Sequence, residues 1–134
     1  PPPVCAEDFM RFCAFRVPDM KNVDNVLSCM ESHASELRPE CKTKVDEASA
    51  EVKAFHDACD VSLSAACPSL VAGNMEQTRE CIIDHLGDLA PACLTEVSAI
   101  IQKHRSGESP AMDIMMEAEM AVNPPPRPPT ARAR

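Results

Sequence analysis

The sequence predicts an all-α protein made of two tandem three-helix repeats, which are stapled by disulfides and share one long central helix. The first reason is a phrase that occurs twice, as CMESHASELRPEC in residues 29–41 and as CIIDHLGDLAPAC in residues 81–93. The second reason is the spacing of the eight cysteines, which is 8, 16 and 12 residues in the first set and 8, 14 and 12 in the second. Self-similarity of this kind is typical of stacked supersecondary units.

The long central helix is predicted from residues 40–67, which contain neither glycine nor proline. Apolar residues recur there at alternating steps of four and three, which is the periodicity of one helical face. This stretch carries Cys41 of the first repeat and Cys59 of the second. The helix therefore ends one repeat and begins the next, so that the two units form a small solenoid-like stack.

The other helices follow from the same periodicity and from the residues that interrupt it. The predicted helices span residues 4–16, 21–33, 36–67, 74–85, 89–104 and 109–122. The breaks between them contain proline, glycine or small polar residues: Val17-Pro18-Asp19, Ala34-Ser35, Pro68 with Gly73, Leu86-Gly87 and Ser106-Gly107. Asp88 is a suitable N-cap for the fifth helix. Residues 123–134 are rich in proline and arginine, so we expect an extended or disordered tail.

This prediction divides the chain into three parts. Residues 1–58 are the first cysteine-rich repeat, residues 59–108 the second, and residues 109–134 a C-terminal helix with a Pro/Arg-rich tail. The chain begins with three prolines and without methionine, so we expect a processed protein or an excised fragment. No stretch approaches the roughly 18 apolar residues that a membrane span requires.

The cysteines are predicted to form four disulfides, because an even number at repeated spacings in a short chain indicates a disulfide framework of an oxidising compartment. Cys5 and Cys13 cannot pair with each other, since eight residues of one helix separate them by about 12 Å. If the second helix returns alongside the first, Cys29 lies level with Cys5. The favoured pairing is therefore Cys5–Cys29, Cys13–Cys41, Cys59–Cys81 and Cys67–Cys93. The alternative Cys5–Cys41 with Cys13–Cys29 stays open.

Metal binding is the rival interpretation of the cysteines. The sets that would supply ligands share a cysteine–histidine–cysteine order: Cys29, His33 and Cys41, and Cys81, His85 and Cys93. Zinc sites favour cysteines separated by roughly two to four residues, and no such pair occurs, so disulfides are the better interpretation. His33 and His85 are expected to be helix C-terminal histidines. No known catalytic or phosphate-binding motif is present, so we predict no catalytic residue and no cofactor.

The charge distribution indicates the kind of partner. Thirteen basic and twenty-one acidic residues give a formal net charge of −8, which argues against nucleic acid. No acidic residue follows Glu119, so the tail is basic. The helix before the tail has a stripe of methionines, which are adaptable at binding surfaces. The residues predicted to dock onto a protein partner are Met112, Met115, Met116, Met120, Arg127, Arg132 and Arg134. We expect truncation after His104 to abolish docking and to leave the helical core intact.

The order C-x2-D-x4-C, followed after a turn by C-[ML]-x2-H-x3-L-x3-C, resembles the cysteine-rich repeat of the Golgi apparatus protein 1 family, also described as cysteine-rich fibroblast growth factor receptors. The matching residues are Cys5, Asp8, Cys13, Cys29, Met30, His33, Leu37 and Cys41, and then Cys59, Cys67, Cys81, His85, Leu89 and Cys93. In the second copy Ser62 stands at the acidic position and Ile82 at the Met/Leu position. The resemblance covers residues 5–104 and implies a secretory-pathway repeat that works by protein contact.

Together these observations favour a non-enzymatic structural or protein-interaction module in an oxidising lumen. We expect the thylakoid lumen, the intermembrane space, a Golgi or secretory lumen, or the extracellular space. One version is an extrinsic lumenal subunit of a larger respiratory or photosynthetic membrane complex. The resemblance implies a secreted or Golgi ligand-binding protein instead, and a metal- or thiol-handling protein is the rival from another class. No small-molecule substrate is expected.

Overall fold

The computed structural model describes residues 3–126 and 128–129, and this part of the chain contains six α-helices and no β-strand. The helices are α1 (Ala6–Phe12), α2 (Val23–Ser32), α3 (Pro39–Ala66), α4 (Met75–Asp84), α5 (Pro91–Arg105) and α6 (Pro110–Val122). Short 3-10 turns at Ala34–Glu36 and Leu86–Asp88 precede α3 and α5. The predicted all-α class is confirmed, and α3 is one uninterrupted helix that carries Cys41 and Cys59.

Three helix boundaries differ from the prediction for identifiable reasons. The first helix ends at Phe12 instead of continuing to residue 16, and Phe15 then has a positive φ of 63°, which a right-handed helix excludes. The third and fifth helices begin at prolines, Pro39 and Pro91, not at residues 36 and 89. The residue before each proline is extended, as proline requires of its predecessor, and proline itself suits the first helical turn. Asp88 therefore caps no helix.

The equivalent helices α2 and α4 begin in the same way. Asn22 precedes α2, and its side-chain oxygen accepts the backbone N–H of Asn25 at 3.1 Å. Asn74 precedes α4, and its side-chain oxygen accepts the backbone N–H of Gln77 at 3.0 Å. Each asparagine thus satisfies one of the N–H groups that a helix start leaves unpaired. Both residues lie seven positions before the third cysteine of their repeat.

All eight cysteines are paired, but the favoured pairing is wrong. The disulfides are Cys5–Cys41, Cys13–Cys29, Cys59–Cys93 and Cys67–Cys81. This is the alternative that the sequence left open, and it holds in both cysteine sets. The outer pairs have Cα–Cα distances of 4.9 and 4.6 Å, and the inner pairs 6.0 and 6.3 Å. In each set of four cysteines, the loop closed by the inner disulfide therefore lies within the longer loop closed by the outer one.

The pairing differs because the start of α1 lies beside the start of α3, whereas it is the end of α1 that lies beside Cys29 of α2. The Asp8 carboxylate on α1 accepts the backbone N–H of Arg38, the residue before α3, at 2.9 Å. This contact brings Cys5 beside Cys41. In the second set, the Ser62 hydroxyl accepts the backbone N–H of Ala90, the residue before α5, at 3.0 Å. Ser62 thus accepts, in the second set, the hydrogen bond that Asp8 accepts in the first.

Two hydrophobic cores form around the two cysteine sets. The first is the larger, and it combines residues of α1, α2 and α3 with Ala111, Ile114 and Ala118 of α6. The second contains Cys59 of α3, Cys81 of α4 and Cys93 of α5, together with Leu63 and Leu89. Helix α6 therefore packs against α1, α2 and α3 and contributes to the first core.

Candidate functional site

The start of α6 is fixed to the middle of α3 by a buried carboxylate. Glu51 Oε1 accepts the hydroxyl hydrogen of Ser109 at 2.8 Å and the backbone N–H of Ala111 at 3.0 Å. Ser109 is fully buried and also caps α6, since its hydroxyl oxygen accepts the backbone N–H of Met112. The other oxygen of Glu51 has no hydrogen-bond partner among the described residues. Glu51 thus holds α6 in place at one end.

Two further polar contacts fix α6 to the residue before α1 and to the start of α3. The Glu117 carboxylate accepts the backbone N–H of Cys5 at 2.6 Å, and Lys44 forms an ion pair with Asp113 at 3.1 Å. Both partners of that ion pair are largely buried. Ile114 is also buried in the first core, with 1% of its surface exposed. Helix α6 is therefore part of the folded body. We therefore expect truncation after His104 to open that core, contrary to the expectation from the sequence.

The methionine stripe is split between the body and the surface. Met112 and Met115 are half-buried, and Met115 packs against the first core. Met116 and Met120 are 53% and 50% exposed, so they lie on the outer face of the helix. Of the predicted docking methionines, only these two present a surface to a partner. Arg127, Arg132 and Arg134 lie outside the described residues, and their docking role stays a prediction.

The two repeated histidines occupy equivalent positions at helix ends. His33 is the C-cap residue of α2, and His85 is the C-cap residue of α4. His33 Nδ1 lies 3.0 Å from a Glu36 carboxylate oxygen, and its ring stacks on Phe12 with centroids 4.9 Å apart. His85 Nδ1 lies 3.4 Å from a carboxylate oxygen of Asp88. The contacts of His33 with Glu36 and of His85 with Asp88 are local in sequence, and they close the turn after each helix.

A contact between the two repeats, which the sequence analysis missed, joins the starts of α2 and α4. Asn22 and Asn74 form an isolated antiparallel bridge, in which the N–H of Val23 donates to the Gly73 carbonyl at 2.9 Å. The N–H of Met75 donates to the Lys21 carbonyl at 3.2 Å. The repeated spacing of Asn22 and Asn74 before their cysteines was the available sequence signal.

Gly73 has no sterically acceptable replacement at this contact. Its φ is +85°, a conformation that residues with a side chain rarely adopt. A Cβ atom there would collide with the Asn22 side-chain oxygen and with the Asp24 carboxylate. The close approach of the two repeats therefore depends on glycine at this position.

His56 extends the contact into the middle of α3. Its Nε2 lies 3.0 Å from both carboxylate oxygens of Asp24, and its Nδ1 lies 2.8 Å from Asp60 Oδ1. Burial of the imidazole acts to lower its pKa, but the hydrogen bonds and negative charges of Asp60 and Asp24 outweigh that effect and raise the pKa above 6.5. The protonated form donates from both ring nitrogens, and so it ties α2 to α3.

An apolar cleft of about 420 Å³ opens beside His56. It is lined by residues of α3, α4 and α5, by the first turns of α2 and α6, and by the loop before α4. Hydrophobic side chains such as Phe55, Ile82 and Ile100 form most of its wall, and Asp60 and Arg79 also line it. The sequence analysis did not predict this cleft, because its wall is formed by residues of separate elements that only the tertiary structure brings together.

The described residues contain no group of three His, Cys, Asp or Glu side chains that could hold a metal ion. Every cysteine sulfur is in a disulfide, so none is a thiolate ligand in this state. Among the helices of residues 3–126, none combines the length and hydropathy of a membrane span.

The fold and the disulfides define the class of the protein. It is a small, all-α, disulfide-stabilised structural module of an oxidising, non-cytosolic environment. Comparison with models of protein families, with curated proteins and with solved structures gives no match. The resemblance to the Golgi apparatus protein 1 repeat therefore stays a prediction from the residues.

Proposed function

We propose that this protein is a non-enzymatic protein-interaction module of an oxidising lumen, and that it works as an extrinsic subunit of a larger membrane complex, respiratory or photosynthetic. One observation carries the proposal. Helix α6 is locked to the body by Glu51 and Glu117, yet it leaves Met116 and Met120 exposed on its outer face. A rigid helix with exposed adaptable side chains is a suitable docking surface.

The chain that follows α6 supports the same proposal. It carries three arginines and no acidic residue, whereas the body before it is acidic. Such a segment favours contact with an anionic partner surface, and that contact weakens as salt screens the charges. The prolines favour extended backbone, which allows a short segment to reach across a partner.

The alternative supported by the sequence resemblance is a secreted or Golgi ligand-binding protein. It uses the same disulfide-stabilised body but predicts a soluble or membrane-anchored ligand, and not an assembly subunit. A metal- or thiol-handling role has less support, since all eight cysteines are in disulfides.

The test is assembly in the organism of origin. A tagged wild-type chain is expected to migrate on native gels with a large membrane complex. The double variant Met116→Asp/Met120→Asp, or a chain ending at Asn123, is expected to migrate alone. Met10→Asp is the matched control, because Met10 is an equally exposed methionine on α1. If the tail truncation and the double methionine variant both assemble like wild type, docking by α6 and the tail is wrong. If the wild-type chain is found with no complex, the subunit role is wrong.

A further inference from the structure

The apolar cleft corresponds to a core that is complete in the first repeat. In that repeat Phe9, Val26, Met30, Val45 and Ala48 are buried in one core with three residues of α6. Counting from the cysteines, the equivalent residues of the second repeat are Leu63, Thr78, Ile82, Val97 and Ile100. All five of these line the cleft.

The difference between the repeats is one helix. The first repeat has α6 packed against α1, α2 and α3, which adds Ala111, Ile114 and Ala118 to the core. The second repeat, within the described residues, has only α3, α4 and α5 around its smaller core. Of these five side chains Leu63 is buried, whereas Thr78, Ile82, Val97 and Ile100 are therefore only partly covered. Ile83 and Ile101, also at the cleft, are 61% and 45% exposed.

The cleft is continuous with the interface that α6 already makes. Ala111 and Met112, in the first turn of α6, form part of the cleft wall next to Glu51 and Val52 of α3. A helix placed in the cleft would thus extend a helix-packing surface that exists in this molecule. Arg79 also lines the cleft, and it forms none of the ion pairs found among the described residues.

We propose that this cleft binds an amphipathic α-helix of a partner protein. The apolar face of that helix combines small and branched residues at i, i+3 and i+7, as the buried face of α6 does with Ala111, Ile114 and Ala118. An acidic residue at its edge pairs with Arg79. The inference rests on the proposed protein-interaction role, but it uses a different surface from Met116 and Met120.

The direct test uses a peptide of residues 109–122 of this chain, SPAMDIMMEAEMAV, as a model of such a helix. It is added to the intact, oxidised protein, and binding is followed by fluorescence anisotropy and by amide chemical shifts. We expect saturable binding in the micromolar to millimolar range, about −4 to −8 kcal/mol. The shifts should be largest for residues of the cleft. The same peptide carrying Ile114→Asp is the matched control and is expected not to bind.

Variants of the protein locate the site. Ile83→Asp and Ile101→Asp change exposed side chains and are expected to weaken the peptide at least about tenfold. Val61→Asp is the control, because Val61 is 87% exposed and lies outside the cleft lining. Arg79→Glu should weaken the wild-type peptide and be rescued by a peptide with Glu117→Lys or Asp113→Lys.

Three outcomes would overturn the inference. The first is no peptide binding at about 1 mM, the weak end of specific association. The second is a dimer in sedimentation equilibrium that Ile83→Asp dissociates, which would make a second copy the occupant. The third is binding of dodecanoate in the cleft that excludes the peptide, which would make it a lipid site. Peptide binding with failed complex assembly would leave this inference standing and reject only the assembly role.

Discussion

The Glu117 carboxylate accepts the backbone N–H of Cys5 at 2.6 Å, across 112 residues of sequence. Cys5 precedes α1 and is disulfide-bonded to Cys41, so this hydrogen bond ties the last helix to the first loop and to the start of α3. Glu117 is buried, which is unusual for an unpaired carboxylate and is explained here by the N–H group that it accepts. This hydrogen bond thereby holds α6 against the first core.

Replacing Glu117 with alanine should destabilise the protein by about 1–3 kcal/mol, because the buried N–H of Cys5 loses its acceptor. The measurement is the urea midpoint at fixed m-value, together with hydrogen exchange of the Cys5 and Phe9 amides. Glu119→Ala is the matched control on the exposed face of the same helix and should change little. Equal midpoints for the two variants would mean that the Glu117 contact contributes nothing to stability.

Gly73→Ala should separate the starts of α2 and α4. The positive φ costs about 1–3 kcal/mol for a residue with a side chain, and the added methyl group also collides with Asn22 and Asp24. Gly107 has a similar φ, but there is open space around the position that a Cβ would take. Gly107→Ala should therefore show the backbone strain without the collision. Gly87→Ala has neither and should be nearly neutral. Thermal unfolding of the three variants should rank them in that order, and a Gly73→Ala variant as stable as Gly87→Ala would contradict the predicted contact.

The ion-paired His56 should make stability depend on pH. Its pKa in the folded protein is raised above 6.5, the value expected in the unfolded chain, by Asp60 and Asp24 against the opposing effect of burial. The folded state therefore binds the proton more tightly, so the stabilisation is fully present below about pH 6.5 and is lost as the pH rises through the folded pKa.

The variant His56→Gln isolates this contribution. The difference in unfolding free energy between wild type and variant should be largest near about pH 5.5 and should shrink towards about pH 8. The comparison variant is His104→Gln, since His104 is exposed on α5 and lies outside the contact between α2 and α3. A wild-type advantage that grows with pH would show that the folded pKa is lowered and not raised.

The helices were predictable because their signals are local. Apolar periodicity and the absence of proline and glycine give α3, and the repeated asparagines and prolines begin α2, α4 and α5. The disulfide pairing was not predictable, since it depends on where α1 lies relative to α3. That placement is set by the long-range contact between Asp8 and Arg38, which no periodicity reveals.

The buried face of α6 was also hidden from the sequence. The four methionines form the most conspicuous apolar stripe, yet Met116 and Met120 are exposed and the charged Glu117 is buried. A buried carboxylate needs a hydrogen-bond donor to offset the loss of its hydration. For Glu117 that donor is the backbone N–H of Cys5, which lies at the other end of the chain. The cleft was not predicted for a related reason, because its lining residues belong to elements that are distant in sequence and meet only in the folded protein.

Disulfide mapping provides a sharp test of the observed pairing. Digestion without reduction should yield peptides linking Cys5 to Cys41 and Cys13 to Cys29, and alkylation before reduction should label no thiol. In the chain-entropy model the outer bridge, with a separation of 36 residues, should contribute about 4 kcal/mol. The inner bridge of the second set, with a separation of 14 residues, should contribute about 3 kcal/mol.

Paired alanine variants measure these contributions. Replacing Cys5 and Cys41 together should destabilise the protein slightly more than replacing Cys67 and Cys81 together. Full reduction should unfold the chain, because only four phenylalanines and no tryptophan or tyrosine are present to build its cores. A linked peptide containing Cys5 and Cys29 would restore the pairing that the sequence favoured and reject the one described here.

The shared helix should make the two repeats unfold together. Helix α3 spans 28 residues, and its side chains enter both cores: Val45 and Ala48 the first, Cys59 and Leu63 the second. Ala54 lies between these groups and is exposed, so Ala54→Pro removes a helical hydrogen bond without emptying a core. The substitution should cost about 3 kcal/mol or more.

Ala54→Ser is the matched control, and its lower helix propensity should reduce the free energy of unfolding by about half a kcal/mol. Hydrogen exchange reports the two repeats separately, through amides of α2 for the first and of α5 for the second. With Ala54→Pro we expect both sets of amides to lose protection by similar free energies, because the helix that positions them is broken between them. Loss of protection confined to α5, with α2 unchanged, would show that the first repeat folds without the continuous helix and that the two units are energetically independent.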